Sequence, residues 1–416
     1  MASADVLVVG GGPAGAAVGF GLARAGVDVL VVDRATFPRP KPCAEYLSPQ
    51  ASRLLDDMGV LGRVERSGAA ALAGIEVRAP NGAVIRGDFD APVGFTPYRA
   101  RGLSVRREVL DTILLDATRC AGARVREDVR VTALERDRTG RVVGATCLSG
   151  ETIRARVVVG ADGLRSVVAR RLDLARQLMW PRRLSLVTHY TGVGDVSTHG
   201  EMHVEHDGYV GIADVGGGVT TVALVVPVSR SYEISKDRVA FLTHWLMSRP
   251  HLRSRFAAAN RVSPVVATGP FASHSRRAWS PGAALVGDAA DFFDPFTGEG
   301  IYSALRGGEL LTRAIVDALA ARDVRHADTA LARYDAERRA EFRGKWIVER
   351  AIGAVVGWSP LMNRAAQRLS RRKPLADLLI GVTGDFVPPR EVIRLGYLWN
   401  VFGPSIAFSA SQLPPA

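Results

Sequence analysis

The chain has 416 residues, enough for two or three domains and a large core. Its 47% hydrophobic and 23% charged residues exclude wholesale disorder and a fibrous build. The net charge is +12, but the arginines are scattered and only Arg371-Arg372-Lys373 forms a dense basic run, so no nucleic-acid partner is expected. The cysteines, Cys43, Cys120 and Cys147, are odd in number and form no CxxC. That argues against a disulfide framework and for a cytoplasmic chain. The N-terminus lacks a basic n-region, and Asp5 and a glycine-rich turn interrupt its apolar segment, so it does not read as a signal peptide.

In chain order, Val6-Leu7-Val8-Val9 predicts a buried strand. Gly10-Gly11-Gly12-Pro13-Ala14-Gly15 follows as a G-x-G-x-x-G, and Ala16 to Ala25 predicts a helix closed by Gly26. Val27 to Val32 predicts a second strand, ending at Asp33 with Arg34 beside it. Gly10 permits the tight turn, Gly12 lets the backbone approach a pyrophosphate, and Gly15 lets the helix pack on the strand. The helix N-terminus, at Pro13 and Ala14, favours the anion. Asp33, eighteen residues beyond Gly15, is placed to accept from both ribose hydroxyls. It disfavours a 2′-phosphate, so the tightly bound dinucleotide is expected to be FAD or NAD, not NADP.

Val157-Val158-Val159-Gly160-Ala161-Asp162-Gly163 predicts a third buried strand entering an acidic turn. Ala284-Leu285-Val286-Gly287-Asp288-Ala289-Ala290 predicts a fourth, leading to Asp294-Pro295-Phe296-Thr297-Gly298-Glu299-Gly300-Ile301 and a helix from about Tyr302 to Ala321. With these segments in this order, the sequence resembles the FAD-dependent family of aromatic hydroxylases, flavin halogenases and geranylgeranyl reductases, over roughly residues 1–330. The resemblance implies FAD as the cofactor. It makes Asp162-Gly163 the second FAD motif, sets Asp288 at the ribose or pyrophosphate and places Arg107 near the phosphate and ribitol. It also passes the loop Pro295 to Ile301 along the flavin ring. Gly298 and Gly300 are then expected to let backbone lie against that ring, with the following helix aiming its positive end at it.

The aromatic hydroxylases' histidine and glutamine positions hold Asp291 and Glu299 here. The halogenases' tryptophan-rich motif and lysine are not recognised, so halogenation is not expected. Phe37-Pro38-Arg39-Pro40-Lys41-Pro42-Cys43 resembles the pre-flavin loop of the reductases, while Cys43-Ala44-Glu45-Tyr46-Leu47-Ser48-Pro49 resembles oxygenases encoded beside polyketide synthases. The leading expectation is a monooxygenase hydroxylating or epoxidising an aromatic or lipophilic secondary metabolite. NAD(P)H would reduce FAD, and O₂ would react through a flavin C4a-hydroperoxide. The rivals are a reductase saturating prenyl double bonds and a non-catalytic FAD-binding protein. Glu45 is either a base for a phenol or a solvated loop carboxylate. Tyr46 either orients substrate or packs at the core edge. Cys43 is either a proton donor over the flavin or a small buried hydrophobe. Asp294 and Phe296 either line the ring face or shape the turn. No second dinucleotide fingerprint appears, so the nicotinamide docks transiently or a separate reductase supplies electrons.

The expected architecture is α/β. A Rossmann-type FAD-binding domain occupies 1–175 and 276–330, with a small substrate-side insertion near 75–105. An antiparallel β substrate domain occupies 176–275, and a helical region occupies 331–416. Tyr209 to Val228 is apolar enough to test as a membrane span, but Gly216-Gly217-Gly218 in its middle predicts a hairpin. His199 and His203 are expected on one strand face with His206 on the other; a polar strand face is preferred to a metal site. Trp346, Ile347, Ala351, Ile352, Val355 and Val356 form an apolar stripe near Arg338, Arg339, Arg343, Lys345 and Arg350. It reads as a docked helix, or as a basic amphipathic surface for peripheral membrane contact.

Overall fold

The computed structural model describes residues 2–178 and 182–403. Four apolar strands run parallel, in the order Val29–Val32, Ala2–Val9, Thr152–Gly160 and Ala283–Leu285. Residues 6–9, 29–32, 157–160 and 283–285 are buried without alternation, because a parallel sheet covered by helices is buried on both faces. The helix Pro13–Arg24 starts three residues earlier than the apolar spacing predicts. Pro13 takes its first turn, where a missing N–H costs nothing. The helix packs against Gly300–Ala320, so the first and last parts of the dinucleotide fold form one body.

A second sheet lies beside it, in the order Asn260–Arg261, Arg183–Thr191, Val219–Pro227, Gly208–Asp214, His199–Glu205, Gly74–Arg78 and Val84–Asp88. The strands Gly208–Asp214 and Val219–Pro227 form a hairpin about Gly216, Gly217 and Gly218. Its period-two pattern sorts the side chains. Leu186, Val210, Val222, Leu224 and Val226 pack under the helices Arg238–Met247 and Pro250–Phe256. Ser185, Val187, Gly211, Ala223 and Val225 point the other way and line a cavity. Several of these are small, which leaves the space open.

His199 and His203 lie buried on the strand His199–Glu205, but His206 lies in the turn after it, so the expectation that it faces the opposite strand side is corrected. His199 pairs with Asp88 at 2.7 Å, and His203 with Glu201 at 2.9 Å. Among the described residues no group of three or more such side chains could hold a metal.

The helix Val324–Val356 is longer than any other described, and Ser359–Leu369 follows it. Arg338 and Lys345 are not surface cations, as a basic amphipathic face requires. Both are buried and ion-paired, Arg338 with Asp291 and Lys345 with Asp385. The apolar stripe beside them is largely docked, with Ile347 and Ala351 its exposed members. Among the described residues no helix is long and apolar enough to cross a membrane.

The first turn allows no slack. A Cβ at Gly15 would lie 1.8 Å from the Gly10 carbonyl oxygen. Gly15→Ala is therefore expected to destabilise the chain by about 3 kcal/mol, measured by chemical denaturation.

Candidate active site

The two sheets enclose one continuous cavity of about 910 Å³. That is the size range of a buried small-molecule site. One end is built by the strand–turn–helix at residues 9–15, and the other by the small-residue face of the antiparallel sheet.

Gly10, Gly12, Pro13, Ala14, Asp33 and Arg34 line the dinucleotide end. Gly10 takes φ +110°, and a Cβ there would strike the Ala161 carbonyl at 2.4 Å. Gly12 differs. A Cβ there would meet only Arg39 Nη2 at 3.4 Å and Arg107 Nη2 at 3.9 Å, both ends of flexible side chains. The protein's own packing leaves Gly12 free to carry a methyl, so its bare backbone serves whatever fills the cavity. Asp33 accepts from Gly11 N–H at 2.7 Å and Ala35 N–H at 2.9 Å. Each carboxylate oxygen keeps a further lone pair for a ribose hydroxyl.

Asp162 accepts from Val167 N–H at 2.6 Å through Oδ2, while its buried Oδ1 has no partner among the described residues. Burial pushes its carboxyl above the usual range, and bonds from Ser166 and Val167 only partly offset that. Asp288 faces Lys41 Nζ at 3.4 Å on the opposite wall. Arg107 is buried and paired bidentately with Asp111, at 2.7 and 2.8 Å. An orphaned acceptor, a fixed guanidinium and a backbone cradle suit an anionic, hydroxylated dinucleotide, so the residues present fit FAD.

Glu45 is not a solvated loop carboxylate. It is 3% exposed, at φ +63°, and wedged between three elements. Its Oε1 accepts from Arg107 N–H at 2.9 Å, and its Oε2 lies 2.9 Å from His189 Nε2. His189 Nδ1 in turn lies 2.9 Å from the half-buried Ser263 hydroxyl. Cys43 is half-buried at the cavity wall, accepts from Glu45 N–H at 3.3 Å, and lies beside the Arg107 guanidinium. Tyr46 directs its hydroxyl at the Thr383 carbonyl, 3.3 Å away, and packs its ring on Phe89 and Ile380.

The loop Pro295 to Ile301 is held from below. Asp294 accepts from Tyr209 O–H at 2.6 Å, Phe296 N–H at 3.1 Å and Arg183 Nη1 at 2.5 Å, so it shapes the turn. Phe296 meets the Tyr209 ring edge-on at 5.0 Å and lines the cavity. Gly298 takes φ +72°, and a Cβ there would lie 2.7 Å from the Tyr46 ring. Its bareness therefore serves the fold itself, beyond the close approach to a flavin expected of it. Gly300 opens the helix Gly300–Ala320 and would meet only Phe292, at 3.7 Å. Ile301 is buried at the cavity edge.

The sequence reading missed His189, Ser263, Arg183 and Glu349. His189 was findable. It shares strand parity with Ser185 and Val187, which line the cavity, and a polar ring on that side needs a partner. Ser263, Arg183 and Glu349 carry no motif and meet the site only through tertiary packing.

A family model described as FAD binding domain matches residues 3–345. The menaquinone reductase of Mycobacterium tuberculosis is 30% identical over 337 residues, covering 74% of this chain and 75% of the relative. Digeranylgeranylglycerophospholipid reductase 2 of Methanopyrus kandleri is 30% identical over 394 residues, covering 92% and 93%. Among solved structures, the myxobacterial chondrochloren halogenase CndH superposes with a TM-score of 0.78 at 22% identity, covering 97% of this chain and 98% of the other. PqsL of Pseudomonas aeruginosa in complex with 2-aminobenzoylacetate gives 0.66 at 24% identity, covering 90% and 98%. These structural likenesses show the fold alone.

Gly12→Ala separates packing from ligand contact. Its apo-protein stability should stay within about 0.5 kcal/mol of the parent. Its affinity for FAD should fall at least tenfold, measured by fluorescence titration of the apoprotein.

Proposed function

Because the chain belongs to the FAD binding domain family, we propose that it is an FAD-dependent monooxygenase acting on a lipophilic phenol. FAD would supply the redox chemistry and the activation of O₂, with NAD(P)H as transient electron donor. The carrying observation is the chain Glu45–His189–Ser263, with both links at 2.9 Å, running from the cavity wall to a half-exposed hydroxyl. Ring hydroxylation is favoured by a phenol held as phenolate. Glu45 is placed to take that proton, and His189 and Ser263 to pass it outward. Arg107 N–H holds the carboxylate in position. The apolar wall of Val187, Ala223, Val225 and Phe296 excludes water and suits an alkyl or aromatic body.

A second reading is reduction of a prenyl double bond. It is favoured by Cys43 at the cavity wall beside Arg107, and by the names of the reductase relatives. The readings diverge in oxygen use. Rapid-mixing reduction with NADH and with NADPH, followed by O₂ and alkylphenols, should give hydroxylated product coupled to oxygen uptake. Anaerobic saturation of a geranylgeranyl substrate, without hydroxylation of any phenol, would install the second reading instead.

His189→Ala and Glu45→Gln are each expected to lower phenol turnover by about 10²- to 10⁴-fold while FAD content stays at parent level. Cys43→Ala should leave that turnover within about threefold, since the proposed path from Glu45 through His189 to Ser263 does not use the thiol. Steady-state assays of the three purified variants check both statements.

A further inference from the structure

Glu349 lies on the inner side of the helix Val324–Val356, where the helix passes under the loop Pro295 to Ile301. It lines the cavity, as do Trp346, Phe292, Phe296 and Tyr209 and the acids Asp294 and Glu299. Thr297 donates a long hydrogen bond of 3.4 Å to its Oε1. Oε2 has no hydrogen bond among the described residues.

The surrounding charges do not balance. Glu299 is 3% exposed, and neither of its carboxylate oxygens has a hydrogen-bond partner among the described residues. The cation next to it is Lys345 Nζ at 3.8 Å, which is engaged by Asp385. Asp294 adds a further negative charge facing Glu349, itself answered by Arg183. Three acids, Glu299 and the Asp385 carboxylate both buried and Glu349 half-buried, thus share one lysine. Ionising all of them would leave net negative charge in a low-dielectric box, which costs several kcal/mol. Burial, with Glu299 and Asp294 adding to it, pushes the Glu349 carboxyl well above the usual carboxylate range, although Lys345 and Thr297 pull it back. A neutral carboxylic acid carries one O–H donor, and no hydrogen bond joins Glu349 to Glu299 to use it.

We propose that Glu349 is a substrate-recognition residue: a neutral acid whose O–H donates a hydrogen bond to a carbonyl or phenolic oxygen of the ligand, in a part of the cavity that aromatic rings also line. The substrate class is thereby narrowed to lipophilic molecules bearing an oxygen acceptor at the ring end, such as quinones, enones and phenols. Plain hydrocarbon chains lack the group that this donor needs. Glu299 acts through Glu349, as a positioning residue whose charge favours the protonated form, while Lys345 pulls the other way. The inference rests on the cavity being the substrate site, as in the preceding reading, but not on the reaction performed there.

The test uses the FAD-loaded protein, oxidised and not turning over. Menadione (2-methyl-1,4-naphthoquinone) and 2-methylnaphthalene are titrated against the parent, Glu349→Gln and Glu349→Leu, following the flavin absorbance. Infrared difference spectra, menadione-bound minus free, are recorded on the same samples. The parent should prefer menadione over the hydrocarbon. Glu349→Leu should lose about tenfold in that preference, the scale of one buried hydrogen bond, and Glu349→Gln, whose amide still donates, should keep most of it. A neutral-carboxyl band should shift on menadione binding in the parent and be absent from both variants. Equal loss of both ligands would make Glu349 a packing residue and overturn the proposal. Absence of a neutral-carboxyl band in the parent would overturn it as well. Neither readout depends on turnover, so a failure of the monooxygenase reading would be seen separately, in the oxygen-coupled assay.

Discussion

One buried carboxylate holds the parts of this molecule in register. Asp294 takes Tyr209 and Arg183 from two strands of the antiparallel sheet and the Phe296 N–H of its own loop. Arg183 extends the chain by donating to the Gly353 carbonyl of the long helix, at 2.8 Å. Sheet, loop and helix therefore meet at one ion pair with satisfied neighbours. Removing one partner of such a pair costs about 3–5 kcal/mol, because the other charge is left buried alone. The cavity lies between these three elements, and this ion pair ties them together.

The same cavity combines two regimes. At the dinucleotide end the polar groups are fixed and directed: Arg107 locked to Asp111, Asp33 closing the turn, and Asp162 with one oxygen still to be satisfied. At the far end polar groups are few, and each sits in an apolar wall where its protonation state has consequences. Glu45 has an outlet through His189 and Ser263. Glu349 has none among the described residues, and its neighbours Glu299 and Lys345 bear on its charge. Low dielectric makes such groups costly to keep and effective when engaged, which is why they gather where a ligand can complete them.

Much of the frame was legible in the chain because it is encoded locally. The strands around Val6–Val9, Val29–Val32 and Val157–Gly160 stand where apolar runs predict them, and the Gly10–Gly15 turn has the backbone its glycines require. The hairpin about Gly216–Gly218 followed from three glycines between β-branched runs. Other features were not legible along the chain. The preferred reading of the stripe as a docked helix stands, but the alternative of a basic surface fails at Lys345 and Arg338, because acids from distant segments receive them. Gly298 is expected beside the flavin, and the Tyr46 ring, from a segment some 250 residues away, also occupies the space a side chain there would need.

The sequence by itself determined the family, the dinucleotide fold and the positions of its glycine and acidic turns. Each of these is a short-range pattern whose physical demand, a positive φ or a close approach, falls on the residue that shows it. The tertiary structure alone decided which polar side chains share the cavity. Glu45, His189 and Ser263 come from three segments, as do Asp294, Arg183 and Glu349, and no spacing along the chain relates them. Their chemistry arises from burial and mutual charge, which exist only once the sheets and the long helix have closed around the same space.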